Sequence, residues 1–253
     1  MKKLWIGGIV LLLLAIVIQF PAAWLASAVG RATSERWRLA ATEGTVWAGR
    51  GALYSFDRAS GSWSAGRSLR WRVSWASLLQ GALAARLDFD DGGQAELEAG
   101  ARGWILRGLD ATFPAAQLAV LLPGTVGDYG WGGTLAARSS GFRCAWNRPR
   151  CTGQFDLAWD DASTAQIPGP PLGDYRLRLT AEGDALRFAV STVRGRLQLT
   201  GGGEISQGRL AFSGEAQAAG DDVRLDSLLR AIARPGPVPG RYLIEYREGQ
   251  SAR

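Results

Sequence analysis

The sequence has no histidine, and its only lysines are Lys2 and Lys3. The first absence removes the usual general base and the commonest metal ligand. The second removes Schiff-base chemistry, a phosphate-cradling P-loop lysine and a Ser–Lys dyad. There is no G-x-S-x-G elbow and no D-x-D-x-D-G calcium loop. Gly201-Gly202-Gly203 precedes a strand pattern, whereas a phosphate loop needs a helix N-terminus behind it. Three carboxylate pairs occur, at Asp90-Asp91, Asp160-Asp161 and Asp221-Asp222. Strand neighbours point to opposite faces, so none makes an acid/base pair by itself, and all three read as turn residues. The chain therefore reads as a non-enzyme with no catalytic residue, no cofactor and no metal.

Cysteine is nearly as scarce, with Cys144 and Cys151 alone. Asn147 and Pro149 between them suit a hairpin-like turn. A disulfide closing that loop contributes about 2.5 kcal/mol by chain entropy; the alternative is two unpaired thiols. There is no CxxC spacing for a redox or zinc role.

What is present begins with an apolar run. Lys2 and Lys3 precede Leu4–Ile18, and after Gln19 apolar character resumes through Leu25. As a helix, Leu4–Leu25 spans about 33 Å, close to a bilayer core. The lysines favour a cytoplasmic N-terminus, and Trp5 and Trp24 lie near the two ends. This reads as a transmembrane anchor, residues 1–28. A cleaved signal peptide is the alternative, because Ala26-Ser27-Ala28 fits an A-x-A cleavage site. Both readings export residues 29–253, an environment in which a disulfide persists.

The net charge is +6. Past residue 3 every basic residue is an arginine, and these are scattered singly along the chain, with no cluster or basic helix. That is a solvated outer face rather than a nucleic-acid footprint. An anionic partner such as lipid headgroups or cell-wall material is the second reading.

Period-two alternation dominates after the anchor. It runs through Leu69–Trp75, Phe155–Trp159, Tyr175–Thr180, Leu186–Val190, Leu197–Leu199, Leu210–Phe212 and Tyr242–Tyr246, with glycines between the runs. The fold class is mainly β: an N-terminal transmembrane helix, then a curved antiparallel sheet with a few short helices. Helices are expected at Ala76–Gln80, Pro114–Leu122 and Asp226–Ala233. Gln166–Pro171 reads as a linker or wide loop, so sub-halves 30–165 and 172–253 are possible, although one continuous sheet is the preferred reading. Trp71 and Trp75 both point inward in this scheme and argue for a filled core over an open groove.

Several segments, in this order, carry a family resemblance. The apolar run ends in Pro21-Ala22-Ala23-Trp24-Leu25. Glu43-Gly44-Thr45-Val46-Trp47-Ala48-Gly49 follows, then Trp71-Arg72 leading to Leu78-Leu79, Leu109-Asp110-Ala111 leading to Pro114-Ala115-Ala116, and Leu172-Gly173-Asp174-Tyr175. The chain resembles the type II secretion system protein N (general secretory pathway protein N) family. Gly44, Thr45, Trp47 and Gly49 form the most specific piece; by residue type it is a tight strand entry with Trp47 packed in the core. The resemblance implies a bitopic inner-membrane component with a periplasmic domain, working beside inner-membrane platform proteins to export folded proteins. It implies membrane lipid as a partner through the anchor, and no catalysis. The family also resembles AsmA-like periplasmic β proteins, which makes a lipid-binding or lipid-handling module the alternative function.

Overall fold

Alternating apolar and polar residues, broken by glycine turns, give a chain that can only bury its apolar side by pairing strand upon strand. The computed structural model describes residues 11–12, 15–57, 61–64, 66–119, 128–146, 150–207, 209–220 and 222–247. Its strands are β1 (Trp37–Gly44), β2 (Ala48–Asp57), β3 (Ser62–Trp63), β4 (Arg67–Ser74), β5 (Leu83–Phe89), β6 (Gln94–Gly100), β7 (Gly103–Pro114) and β8 (Trp131–Ala145). They continue as β9 (Cys151–Thr164), β10 (Gly173–Gly183), β11 (Ala185–Gly195), β12 (Leu197–Ser206), β13 (Arg209–Ala218), β14 (Arg234–Pro235) and β15 (Arg241–Arg247). The helices are α1 (Ala23–Ala32), α2 (Trp75–Leu79), α3 (Ala115–Ala119) and α4 (Val223–Ile232).

All the described strands belong to one antiparallel sheet, ordered β1-β2-β4-β5-β6-β7-β8-β9-β10-β11-β12-β13-β15-β14, with β3 beside β2. It is almost a pure meander: most strands pair with their neighbours in sequence. The sheet continues across residues 166–171, because β9 and β10 pair directly from Gly173↔Ala162 to Gly183↔Cys151. Cys144 and Cys151 face each other across β8 and β9 and are joined by a disulfide, with Cα atoms 4.1 Å apart.

Register sorts the side chains into two faces. On one, Leu97, Leu106 and Phe142 lie in a row, as do Leu157, Leu177 and Val190. On the other runs a ladder of charge: Arg70, Asp88, Gln94, Asp110, Arg138, Asp156 and Arg178 occupy successive strands in register. Arg138 bonds Asp110 at 3.3 Å and Arg178 bonds Asp156 at 2.9 Å. Arginines that looked scattered in sequence thus include rungs of a ladder, and Arg138 and Arg178 there help fix register through the aspartates opposite them. A trough of about 540 Å³ opens beside these rungs, walled by Arg138, Asp156 and Arg178 and floored by Ala158 and Ala189.

The apolar face is buried at three separate places. Near the N-terminal end, Ala22, Leu39 and Trp71 form a cluster that includes Leu25 and Ala26 of α1. In the middle, Ala111, Phe113 and Ala137 pack with Phe89 and Leu118. At the C-terminal end, α4 sets Leu225 and Leu229, four residues apart on one helical face, against Tyr175, Val190, Ala216 and Tyr242. Each such leucine contributes about 1.5–3 kcal/mol of burial. Asp222 caps α4 by accepting a 3.0 Å hydrogen bond from the Leu225 amide, worth about 1 kcal/mol.

Several expectations change. The apolar run does not continue helically to Leu25: residues 15–18 are helical, the chain leaves the helix at Gln19–Phe20, and α1 begins afresh at Ala23. Pro21 cannot donate to a continuing helix, and it bridges to Thr45 of the sheet instead. Trp24 and Leu25 therefore belong to a helix lying on the sheet. Residues 1–10 and 13–14, part of the expected anchor, lie outside the described residues. Among the described residues no helix is long and apolar enough to cross a membrane. Pro114 closes β7 rather than opening a helix, and α3 starts one residue later; 120–122 lie outside the described residues. Asp160-Asp161 sits inside β9, where Asp161 takes a φ of 52° at a bulge, and is not a turn. Trp71 is buried as expected, but Trp75 opens α2 and is 48% exposed.

Candidate functional site

The residues of the Gly44–Gly49 segment form the turn between β1 and β2, and every one of them has a structural task. Gly44 adopts a φ of 89°, and a Cβ there would meet the Ala48 carbonyl at 2.5 Å. Only glycine makes that turn without strain. Thr45 closes it: its amide donates to the Ala48 carbonyl at 2.9 Å, and its Oγ1 accepts from the amides of Trp47 (3.3 Å) and Ala48 (3.2 Å). At Gly49, a Cβ would meet the Trp71 ring and the Glu43 carbonyl, each at 2.5 Å. Its absence lets the Trp71 indole lie flat against the turn and donate from Nε1 to the Thr45 carbonyl at 3.1 Å.

The turn in turn holds the N-terminal segment. Trp47 Nε1 donates to the Val17 carbonyl at 2.6 Å, the Val46 amide to the Phe20 carbonyl at 2.9 Å, and the Ala22 amide to the Gly44 carbonyl at 3.2 Å. The first two bonds meet carbonyls where the helix ends, and the third ties the Ala22 amide to the turn. Trp47 is half-buried and packs at 4.5 Å on Trp75, so the core position expected for it belongs to Trp71. The segment is a socket that clamps the end of the apolar run onto the sheet edge, and its chemistry is hydrogen bonding and packing.

A second socket lies at Leu172–Tyr175. Leu172, Asp174 and Tyr175 are buried. The Asp174 carboxylate accepts from Arg194 and, at 2.9 Å, from the Asp161 amide at the β9 bulge. Arg194 first, then that amide, hold the Asp174 carboxyl below the usual carboxylate range. Tyr175 donates from its hydroxyl to the Leu197 carbonyl at 3.0 Å, and burial pushes its phenol above the usual range. Asp156, through Arg178, and Asp222, through the Leu225 amide, are likewise held low.

A folded-state pKa below the unfolded value of about 3.9 means the unfolded chain binds more protons in the interval between them. The stability these carboxylates supply is therefore complete above about pH 4–5 and lost as pH falls through their lowered values. Melting temperature is expected to be flat from pH 7 to about pH 5 and to drop steeply below pH 4. Asp174→Asn should lower the plateau and flatten the acid limb, as thermal melts across that range will read. An unchanged acid limb in the variant refutes the role given to Asp174.

Sequence reasoning missed Arg67. It is 8% exposed, lies 4.7 Å from the ring centres of both Phe89 and Phe113, and pairs with Asp90 (3.4 Å) and Asp91 while donating to the Thr112 carbonyl. Asp90 and Asp91 do occupy a turn, between β5 and β6, and they serve there as the counter-charge for this cation. Asp222 serves as a helix cap and as a 3.0 Å partner of Arg196; Asp221 lies outside the described residues. Among the described residues no three potential ligands gather to hold a metal ion.

No curated protein and no solved structure matches the chain. The family model described as type II secretion system (T2SS), protein N, matches residues 35–244, from just before β1 into β15 and so across Gly44–Gly49 and Leu172–Tyr175, and the chain belongs to that family.

Proposed function

We propose that the protein is a single-pass inner-membrane component of the type II secretion system, with its N-terminus cytoplasmic and its β domain periplasmic, and that it acts as a scaffold for other components. Membership of the protein N family carries this reading. The arrangement of the N-terminal segment supports it: Lys2 and Lys3 precede the apolar run, and the described side chains Leu11, Leu12, Ile16, Val17 and Ile18 are 47–70% exposed, so the sheet does not cover them. The Cys144–Cys151 disulfide suits an oxidising compartment.

Scaffolding fits the edges of the sheet. β14 pairs only Arg234 and Pro235 against Leu243 and Tyr242, so the outer edge of β15 beyond them has no strand beside it among the described residues. An open edge of this kind accepts a strand from another protein. A structural role suits a chain with neither histidine nor a lysine past residue 3.

Deleting the gene while assaying release of folded periplasmic substrates tests the reading. Reduced release, with site-specific crosslinks from Tyr246 to platform subunits, is the expected result. Undiminished release together with altered envelope permeability would overturn it and favour a lipid-handling role.

A further inference from the structure

The first socket does more than hold the end of the apolar run; it also presents a surface beside it. α2 is a single turn between β4 and β5, and none of its residues is buried. Trp75 is 48% exposed, and Leu79, four residues on, is 92% exposed. A connection meeting only water has no use for these side chains, because burial of each would be worth kilocalories elsewhere. They are also held outward. Ser77 locks the turn, donating to the Ser74 carbonyl at 2.7 Å and accepting from the Ala84 amide at 3.0 Å.

The exposed residues form a connected patch. Trp75 lies 4.5 Å from Trp47, whose indole reaches the Val17 carbonyl; Phe20 lies 5.2 Å from Trp24, itself 55% exposed. The patch is thus continuous with the end of the apolar run. Cations flank it. Arg72 stands three residues before Trp75 and pairs in register with Ala48, next to Trp47. Arg72 also directly faces Arg86, and Arg70 faces Arg50 on one side and Asp88 on the other. Arg50 has Glu43 and Arg86 has Asp88, whereas Arg70 and Arg72 make no ion pair among the described residues. Like charges directly across strands repel, and an external anion relieves that cost.

We infer that this end of the sheet is a membrane-lying surface: Trp47, Trp75 and Leu79 enter the headgroup region of the bilayer, and Arg70 and Arg72 meet anionic lipid headgroups. Tryptophan and arginine suit that depth, one end apolar and the other wet. The inference rests on the reading of the apolar run as a membrane segment and adds a second contact that fixes the tilt of the sheet on the membrane.

The test uses the full chain in nanodiscs of phosphatidylethanolamine and phosphatidylglycerol. Cys144 and Cys151 are bonded to each other, so a single added cysteine takes an environment-sensitive label. Labels go at Leu79→Cys, at Val193→Cys as the exposed control near the far end of β11, and at Leu12→Cys in the apolar run. Shallow nitroxide lipids are expected to quench the label at position 79 at least threefold more than at 193, while deep nitroxide lipids quench that at 12. Arg70→Glu with Arg72→Glu should then halve quenching at 79 or more, to the level seen in zwitterionic discs. Quenching at 12 but not at 79 overturns this inference and leaves the anchor standing. Quenching at neither position overturns both.

Discussion

Trp71→Ala is expected to destabilise the protein by about 3–5 kcal/mol, the usual cost of emptying a buried tryptophan site. Trp71 is 4% exposed and packs with Ala22 and Leu39 beneath α1. Its loss leaves a cavity where Gly49 has no side chain to fill it, and strips the Thr45 carbonyl of its indole donor. Neighbours cannot collapse into the space, because the Gly44–Gly49 turn is already tied by backbone bonds on both sides. The damage should stay local. In a meander each strand supports mainly its neighbours, so stability is distributed along the sheet rather than pooled in one core. Hydrogen exchange is expected to show protection lost over α1, β1 and β2 and kept around Leu225 and Tyr175. Trp75→Ala, at an exposed site, should cost under about 0.5 kcal/mol. Equal losses for the two tryptophans, read from urea midpoints, would refute the assignment of Trp71 as the tryptophan that holds the socket.

Arg67→Ala should be the next largest, about 3 kcal/mol, in the range for breaking a buried charge pair. The guanidinium packs against two phenyl rings that also touch each other, and such cation–π contacts gain when desolvated. Burial pushes the Asp91 carboxyl up, but the Gly93 amide and Arg67 more than offset this, so it stays below its ordinary range. Without Arg67, Asp90 and Asp91 keep partial access to water, which limits the loss. Arg67→Met, refilling the space against Phe89 and Phe113 without the charge, should recover about half of it. Thermal melts of both variants at neutral pH separate the terms: if methionine is no better than alanine, the charge carries the interaction and the packing does not.

Much of the sheet was legible in the chain. Alternation in Tyr175–Thr180 and Leu186–Val190 places those residues in β10 and β11 on the faces the pattern dictates, because side-chain period two is a local property of any strand. The pattern failed where a strand gives way to something else. Trp75 continues the Leu69–Val73 alternation by residue type, yet the backbone has already turned into α2 there. Leu25 continues the apolar run by hydropathy, yet Pro21 has already broken the helix and its bridge to Thr45 redirects the chain. Hydropathy reports how apolar a residue is and carries no information on which apolar partner it meets. Trp47 and Trp71 were likewise indistinguishable as types; only the space left by Gly49 decides which ring is buried.

By itself, the sequence determined the class of fold, an apolar start, two cysteines near enough to join, and a residue inventory without histidine or, past residue 3, lysine. Tertiary structure alone decided what depends on register across strands. It stacked single arginines and aspartates into a ladder, buried Arg67 against Phe89 and Phe113, and drew Val17, Phe20, Trp47 and Trp75 together at one corner of the sheet. Those pairings join residues up to dozens of positions apart, and their cause is the geometry of strand pairing, which no local pattern encodes.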